Sequence, residues 1–242
     1  MAGHSKWANI RFRKAAQDAR RGKLFTRLIR EIVIAARDGG GDAASNPRLR
    51  AAVDKARDAN MGRDAIDRAV KRGTGELAGE RYEEVRYEGY AAGGAAVLVE
   101  CATDNRNRTI GEVRLAFSKH GGNLGASGSV AYLFNKVGLL SFDPGSDVEG
   151  IMDVAAAGGA DDIAAGDDDT IEVLTAPENF HAVLDALKRA GHAPAAAGIV
   201  YRADAVAEVG AAAAEQVAQL LGALEELDDV QDVFTNAALP AP

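Results

Sequence analysis

From Gly138 onward the chain repeats strand and helix patterns in an order that admits few folds. Strand patterns fall near residues 139–142, 162–165, 170–174 and 199–202, and helical patterns at 148–157 and 177–190. Read in sequence this is βαββαβ, the ferredoxin-like split βαβ unit. One more helix, about 211–227, and one more strand, 230–234, follow it. They cannot belong to a unit that is already complete, so they are expected to rejoin strands of residues 80–134. The βαββαβ unit then becomes an insertion in a middle domain.

The part of the chain before it divides in two. Over residues 23–37, Leu24, Phe25, Leu28, Ile29, Ile32 and Ala36 recur at helical spacing and mark one face of an amphipathic helix. Gly39-Gly40-Gly41 ends it, and Asn46-Pro47 supplies an N-cap and a first-turn proline for a second helix reaching about Ala59. A third helix fits 63–72, with Gly73 as its stop. Beyond Gly79, residues 82–90 and 95–102 read as strands, the second nearly continuous in apolar residues and suited to burial on both faces. A helix capped by Asp104 follows, with Ile110, Val113 and Phe117 on its core face; residues 129–134 are a further strand candidate. The fold class is therefore α+β in three domains. They are a basic helical domain at 1–78, a middle α/β domain of 79–136 plus 204–242, and an inserted acidic ferredoxin-like domain at 137–203. A length of 242 residues accommodates three such cores.

Charge follows the same partition. Residues 1–74 hold 18 Lys and Arg against 8 Asp and Glu, a net of +10; residues 75–139 come to −1, and residues 140–242, with 3 against 20, to −17. A basic end that meets polyanions and an acidic end that does not is the implied division. At about 100° per residue, Arg20, Lys23, Arg27, Arg30 and Arg37 share a sector opposite the apolar stripe of the first helix. The sector continues an arm carrying Lys6, Arg11, Arg13, Lys14, Arg20 and Arg21, in which Trp7 and Phe12 are placed to stack on bases. A charged run is often only a solvated helix face, but residues 1–37 contain ten cations and just two acids, Asp18 and Glu31. A surface built for solubility alone would intersperse the signs. We therefore read this face as a phosphate footprint.

Arg106 and Arg108 open the helix after Asp104, where cations oppose the helix dipole. Either an anion binds at that terminus or both arginines reach back to acids such as Glu83, Glu84 or Glu88; the two readings stand level. The glycine-rich stretch 121–129 could offer backbone N–H groups to a phosphate, yet it lacks a Walker lysine and follows a helix instead of preceding one. It reads as a contact loop.

Several long motifs resemble the YebC/PmpR family. They are the opening residues 1–10 (MAGHSKWANI), 20–32 (RRGKLFTRLIREI), 46–50 (NPRLR), 87–90 (YEGY), 103–109 (TDNRNRT) and 121–134 (GGNLGASGSVAYLF). The resemblance spans essentially the whole chain. It implies a helical first domain, a ferredoxin-like third domain inserted in the second, and a cytoplasmic regulator of gene expression without a known catalytic reaction. Similar proteins include DNA-binding transcriptional regulators, and also ribosome-associated relatives such as the mitochondrial translational activator of cytochrome c oxidase. The sequence departs from the family by alanine-rich padding at 150–215 and by Phe12, where histidine is common, so a stacking role for Phe12 does not carry over from the family.

Enzymatic readings find little support. His4, His120, His181 and His192 have no ligand-like spacing, Asp167-Asp168-Asp169 suits a turn between strands, and Cys101 lies in an apolar run as a small core residue. No metal, cofactor, small-molecule substrate or catalytic residue is expected. No apolar stretch approaches a membrane span or a signal-peptide core, so a cytoplasmic location is expected. Three partners are conceivable: promoter DNA for a transcription regulator, ribosomal RNA for a translation factor, and a basic protein recruited by the acidic domain.

Overall fold

The structure, a computed structural model, describes residues 21–165 and 170–239. It is mixed α+β. Among the described residues three helices come first, α1 (Arg21–Gly39), α2 (Pro47–Asp58) and α3 (Arg63–Gly73). Asn46 organises their first junction. Its side-chain oxygen accepts from the Leu49 amide at 3.1 Å, and its amide group donates to the carbonyls of Ala35 and Gly40, both at 2.8 Å. One buried side chain thus caps the start of α2 and satisfies carbonyls at the end of α1. Ile32, Leu49, Ala56, Met61 and Ile66 fill the space between the helices, each large apolar side chain contributing about 1.5–3 kcal/mol by burial. Gly73 closes the bundle, since a Cβ there would stand 2.5 Å from the Val33 carbonyl oxygen.

A four-stranded sheet follows, in the order β3 (Asn123–Leu124), β1 (Glu83–Tyr90), β2 (Ala96–Thr103), β9 (Val230–Thr235). Helices α4 (Arg106–Lys119) and α7 (Ala211–Glu225) cover one face, where Val97, Val99 and Cys101 meet Val113, Phe117, Val217, Leu220 and Leu224. Ala96 and Leu98 point the other way and join Val130 and Phe134 in a second apolar cluster. The central position of β2 explains its unbroken apolar run: both faces are buried. The late strand β9 pairs antiparallel with β2, so the end of the chain returns to the sheet begun near residue 83.

Between these parts lies a second sheet, in the order β5 (Asp162–Ala165), β6 (Ile171–Thr175), β4 (Phe134–Phe142), β7 (Ala196–Ala203), with every pairing antiparallel. Helices α5 (Val148–Ala157) and α6 (Phe180–Arg189) pack on it around Leu140, Phe142, Ile151, Val173 and Leu187. Two short strands, β8 (Ala207–Glu208) and β10 (Ala237–Ala238), pair in parallel near the end.

Two local expectations are corrected. Residues 131–133 form a 3-10 turn instead of the strand expected over 129–134, and β4 begins at Phe134. The amides of Val130 and Ala131 both donate to the Glu88 carboxylate and so cannot enter a ladder. The N-cap of α4 is Asn105, whose side chain accepts from the Arg108 amide at 3.1 Å; Asp104 turns instead to the Arg108 guanidinium. The short strands β3, β8 and β10 carried no pattern in the sequence, because two residues show no periodicity.

Candidate nucleic-acid interface

Spacings of four and three residues place Lys23, Arg27 and Arg30 on one face of α1. That face looks onto the turn leaving α7. Lys23 Nζ lies 2.5 Å from both the carbonyl oxygen and Oε2 of Glu226, and Arg27 donates to the Glu225 carbonyl at 2.5 Å. Arg30 donates to the carbonyls of Asp228 at 2.5 Å and Ala102 at 3.1 Å, and pairs with Asp229 Oδ1 at 2.9 Å. The last turn of α7 carries no basic residue of its own. Its outgoing carbonyls, which lack partners inside the helix, are therefore met by cations from α1.

Asp229 is the centre of this cluster. It is 1 % exposed, and its Oδ2 accepts from Arg108 Nη2 at 2.7 Å, from Thr109 at 2.7 Å and from Thr103 at 3.0 Å. Burial by itself would raise its pKa, but the hydrogen bonds from Arg108, Thr109 and Thr103 and the charge of Arg30 outweigh that and hold it below the usual carboxylate range. Arg108 in turn is held more firmly protonated, first by its hydrogen bonds to Asp229 and then by Asp104. The guanidinium of Arg30 lies over the Tyr82 ring, 5.1 Å from its centroid, while its Nε is buried without a hydrogen-bond partner. A cleft of about 610 Å³ at this junction is lined by Lys23, Arg30, Arg108, Glu226, Asp228 and Asp229, among others.

The other end of α1 is fastened separately. Arg37 donates to the Tyr82 carbonyl and to Asp38, and Arg48 bridges Glu31 at 2.9 Å and Glu84 at 2.6 Å, joining α1, α2 and β1. Burial alone would lower the Arg48 pKa; its hydrogen bonds to Glu31 and Glu84 raise it instead.

The residues expected to bind nucleic acid thus divide into three groups. Lys6, Trp7, Arg11, Arg13, Lys14 and Arg20 lie outside the described residues, as does the side chain of Arg21. Lys23, Arg27, Arg30 and Arg108 are brought together, facing one acidic turn within the chain. Arg106 stays exposed, with its guanidinium 3.7 Å from Glu83. Of the two readings left open for the arginine pair, the reach back to acids describes what both make here, though Arg108 takes Asp104 and Asp229 instead of the acids anticipated.

Sequence reasoning missed Asp229, Thr103, Thr109 and the Arg48 bridge. Nothing local signals them, because Arg30 and Asp229 are 199 positions apart. It also passed over Arg50, Lys55, Arg68 and Lys71, which are exposed on α2 and α3.

The glycine-rich loop does offer backbone N–H groups to an anion, and the anion is built in. Glu88, 3 % exposed, accepts from the amides of Gly128, Val130 and Ala131 at 2.7–2.8 Å. Burial would raise its pKa, and those three amides lower it. Tyr90 fastens the same loop by donating to the Ser129 carbonyl at 2.9 Å.

Burial pushes the Cys101 thiol up to about 12, so it is not poised as a nucleophile. Among the described residues no three His, Cys, Asp or Glu side chains converge as metal ligands, and no helix is long and apolar enough to cross a membrane. Asp167, Asp168 and Asp169 lie outside the described residues.

Comparison with known proteins places this arrangement. A protein of Nitrosococcus oceani named "Probable transcriptional regulatory protein" is 57 % identical over 237 residues, covering 98 % of this chain and 96 % of its own. A protein of the same description from Thioalkalivibrio sulfidiphilus is 59 % identical over 240 residues, covering 99 % and 96 %. The crystal structure of a conserved hypothetical protein from Aquifex aeolicus superimposes with a TM-score of 0.84 at 47 % identity, over 93 % of each chain. Residues 5–76 match the profile of the TACO1/YebC protein N-terminal domain, and residues 82–237 match that of the TACO1/YebC second and third domain. The matches are collinear and cover nearly the whole chain, which belongs to the TACO1/YebC family.

Proposed function

We propose that this protein is a nucleic-acid-binding regulator of gene expression that acts on DNA in transcription, in the cytoplasm and without catalysing a reaction. The observation that carries the reading is the net +10 of residues 1–74, at the end of a chain whose relatives are named as probable transcriptional regulators. We assign the contacts to the arm residues Lys6, Trp7, Arg11, Arg13, Lys14, Arg20 and Arg21, and to the exposed cations of α2 and α3. Arg106 adds a cation from the middle region. The segment 140–242, at −17, is repelled by phosphate and stays off the duplex. The same reading divides the molecule into a helical domain at 1–78, a middle domain of 79–136 plus 204–242, and a ferredoxin-like insertion at 137–203.

Purified protein mixed with sheared genomic DNA and total RNA at two salt concentrations, followed by sequencing of what it retains, tests the proposal. Enrichment of discrete promoter fragments is expected, with affinity falling steeply as salt rises. Replacing Arg11, Arg13, Lys14 and Arg20 by Glu should abolish it. Retention of ribosomal RNA with no enriched DNA fragment would overturn the transcriptional reading.

A further inference from the structure

We propose that the turn at residues 225–229 is an internal brake on nucleic-acid binding. It occupies the Lys23–Arg27–Arg30 face of α1 with oxygens that stand in for phosphates, and it must separate from α1 before nucleic acid can reach those side chains. The inference rests on the nucleic-acid reading above and adds a regulation to it.

Four features support it. First, what meets the three cations is a row of oxygens: the carbonyls of Glu225, Glu226 and Asp228, and the carboxylates of Glu226 and Asp229. Guanidinium and ammonium groups grip a phosphate backbone through the same chemistry. Second, the junction is polar. Among the described residues the apolar core of the three helices and that beneath the first sheet share no residue. Domains joined in this way are free to move relative to each other. Third, the closed contact is imperfect, since Arg30 Nε is buried without an acceptor and a cleft lies at the seam.

Fourth, the acceptor side is built to survive opening. When Arg30 leaves, Asp229 keeps Arg108, Thr103 and Thr109, so the turn does not strand a buried charge. The other end of α1 supplies the pivot. Arg37 and Arg48 hold it at Tyr82 and Glu84, next to the exposed connecting segment 74–81, where Gly75 adopts a φ of +83°.

The test uses a fluorescent 30-base-pair duplex and four forms of the full chain. Glu225→Gln/Glu226→Gln weakens the acidic turn and is expected to bind roughly tenfold more tightly than wild type at low salt, the ordinary size of a two-state coupling. Lys23→Cys/Glu226→Cys, joined by a short bis-maleimide, holds the brake shut. It should lose roughly tenfold or more in affinity against the same protein capped with a mono-maleimide. Cys101 is buried and does not compete for the reagent. If the joined and capped forms bind equally well, the brake is overturned while nucleic-acid binding stands. If no form binds duplex or single-stranded RNA at any salt concentration, the functional reading falls and the brake with it.

Discussion

Asp229 and Glu88 are both buried, both ionised against the cost of burial, and held by opposite means. Glu88 lies under a single loop and takes three backbone amides from residues 128–131, so its site is complete within the middle region. Asp229 takes side chains from three elements, one of them α1, which belongs to a different apolar core. A carboxylate met by backbone amides shapes one loop, whereas one met by side chains from separate cores ties those cores together. The contrast locates the regulation proposed here, because only the second arrangement can lose a partner without local unfolding.

The largest expected effect is that of Asp229→Ala. It leaves Arg30 and Arg108 facing an empty buried site and should cost about 3–5 kcal/mol of stability in denaturant unfolding. A loss under about 1 kcal/mol would mean that Arg108 and the threonines find solvent, and the comparison would fail. Glu88→Ala comes next. Three amides lose their acceptor, for an expected loss of about 1–3 kcal/mol and faster proteolysis within residues 121–131. Proteolysis elsewhere in the chain should not change.

Acid supplies a third way to break the comparison. Both groups have folded pKa values below their unfolded ones, so each contributes stability that is present above the unfolded pKa of about 4 and is lost as pH falls through the lower folded value. Wild-type stability should therefore drop below about pH 4, and Asp229→Asn should flatten that dependence in a denaturation series from pH 7 to pH 2. An unchanged slope in the variant would show that Asp229 is not the group responsible.

The smallest effect concerns Glu100, a carboxylate that burial, with Asp232 opposite it in the register, pushes upward in pKa. Here the sign reverses, since the charged form is disfavoured in the folded protein. Glu100→Gln should stabilise by about 0.2–1 kcal/mol at neutral pH, the scale of a like-charged cross-strand pair. That gain should vanish as pH falls through the raised pKa, when wild-type Glu100 also becomes neutral.

Much of this was legible beforehand where a pattern repeats. The spacing of Leu28 and Ile32, the Asn46-Pro47 start signal and the apolar run of β2 each placed an element within a residue or two. The two-residue strands were not legible, nor was the 3-10 turn at 131–133, which depends on a carboxylate more than forty positions away. The candidate site was half legible. Lys23, Arg27 and Arg30 could be read as one cationic face, but what stands in front of that face could not.

The sequence alone determined the order of elements, the partition of charge and the cationic face of α1, because these follow from the period of a helix or strand and from counting. Only the tertiary structure decided that the face meets Glu225, Glu226, Asp228 and Asp229, and that a glutamate fills the anion site of the glycine-rich loop. Both pairings arise from packing between elements far apart in the chain, and local sequence carries no record of which distant surface a helix will meet.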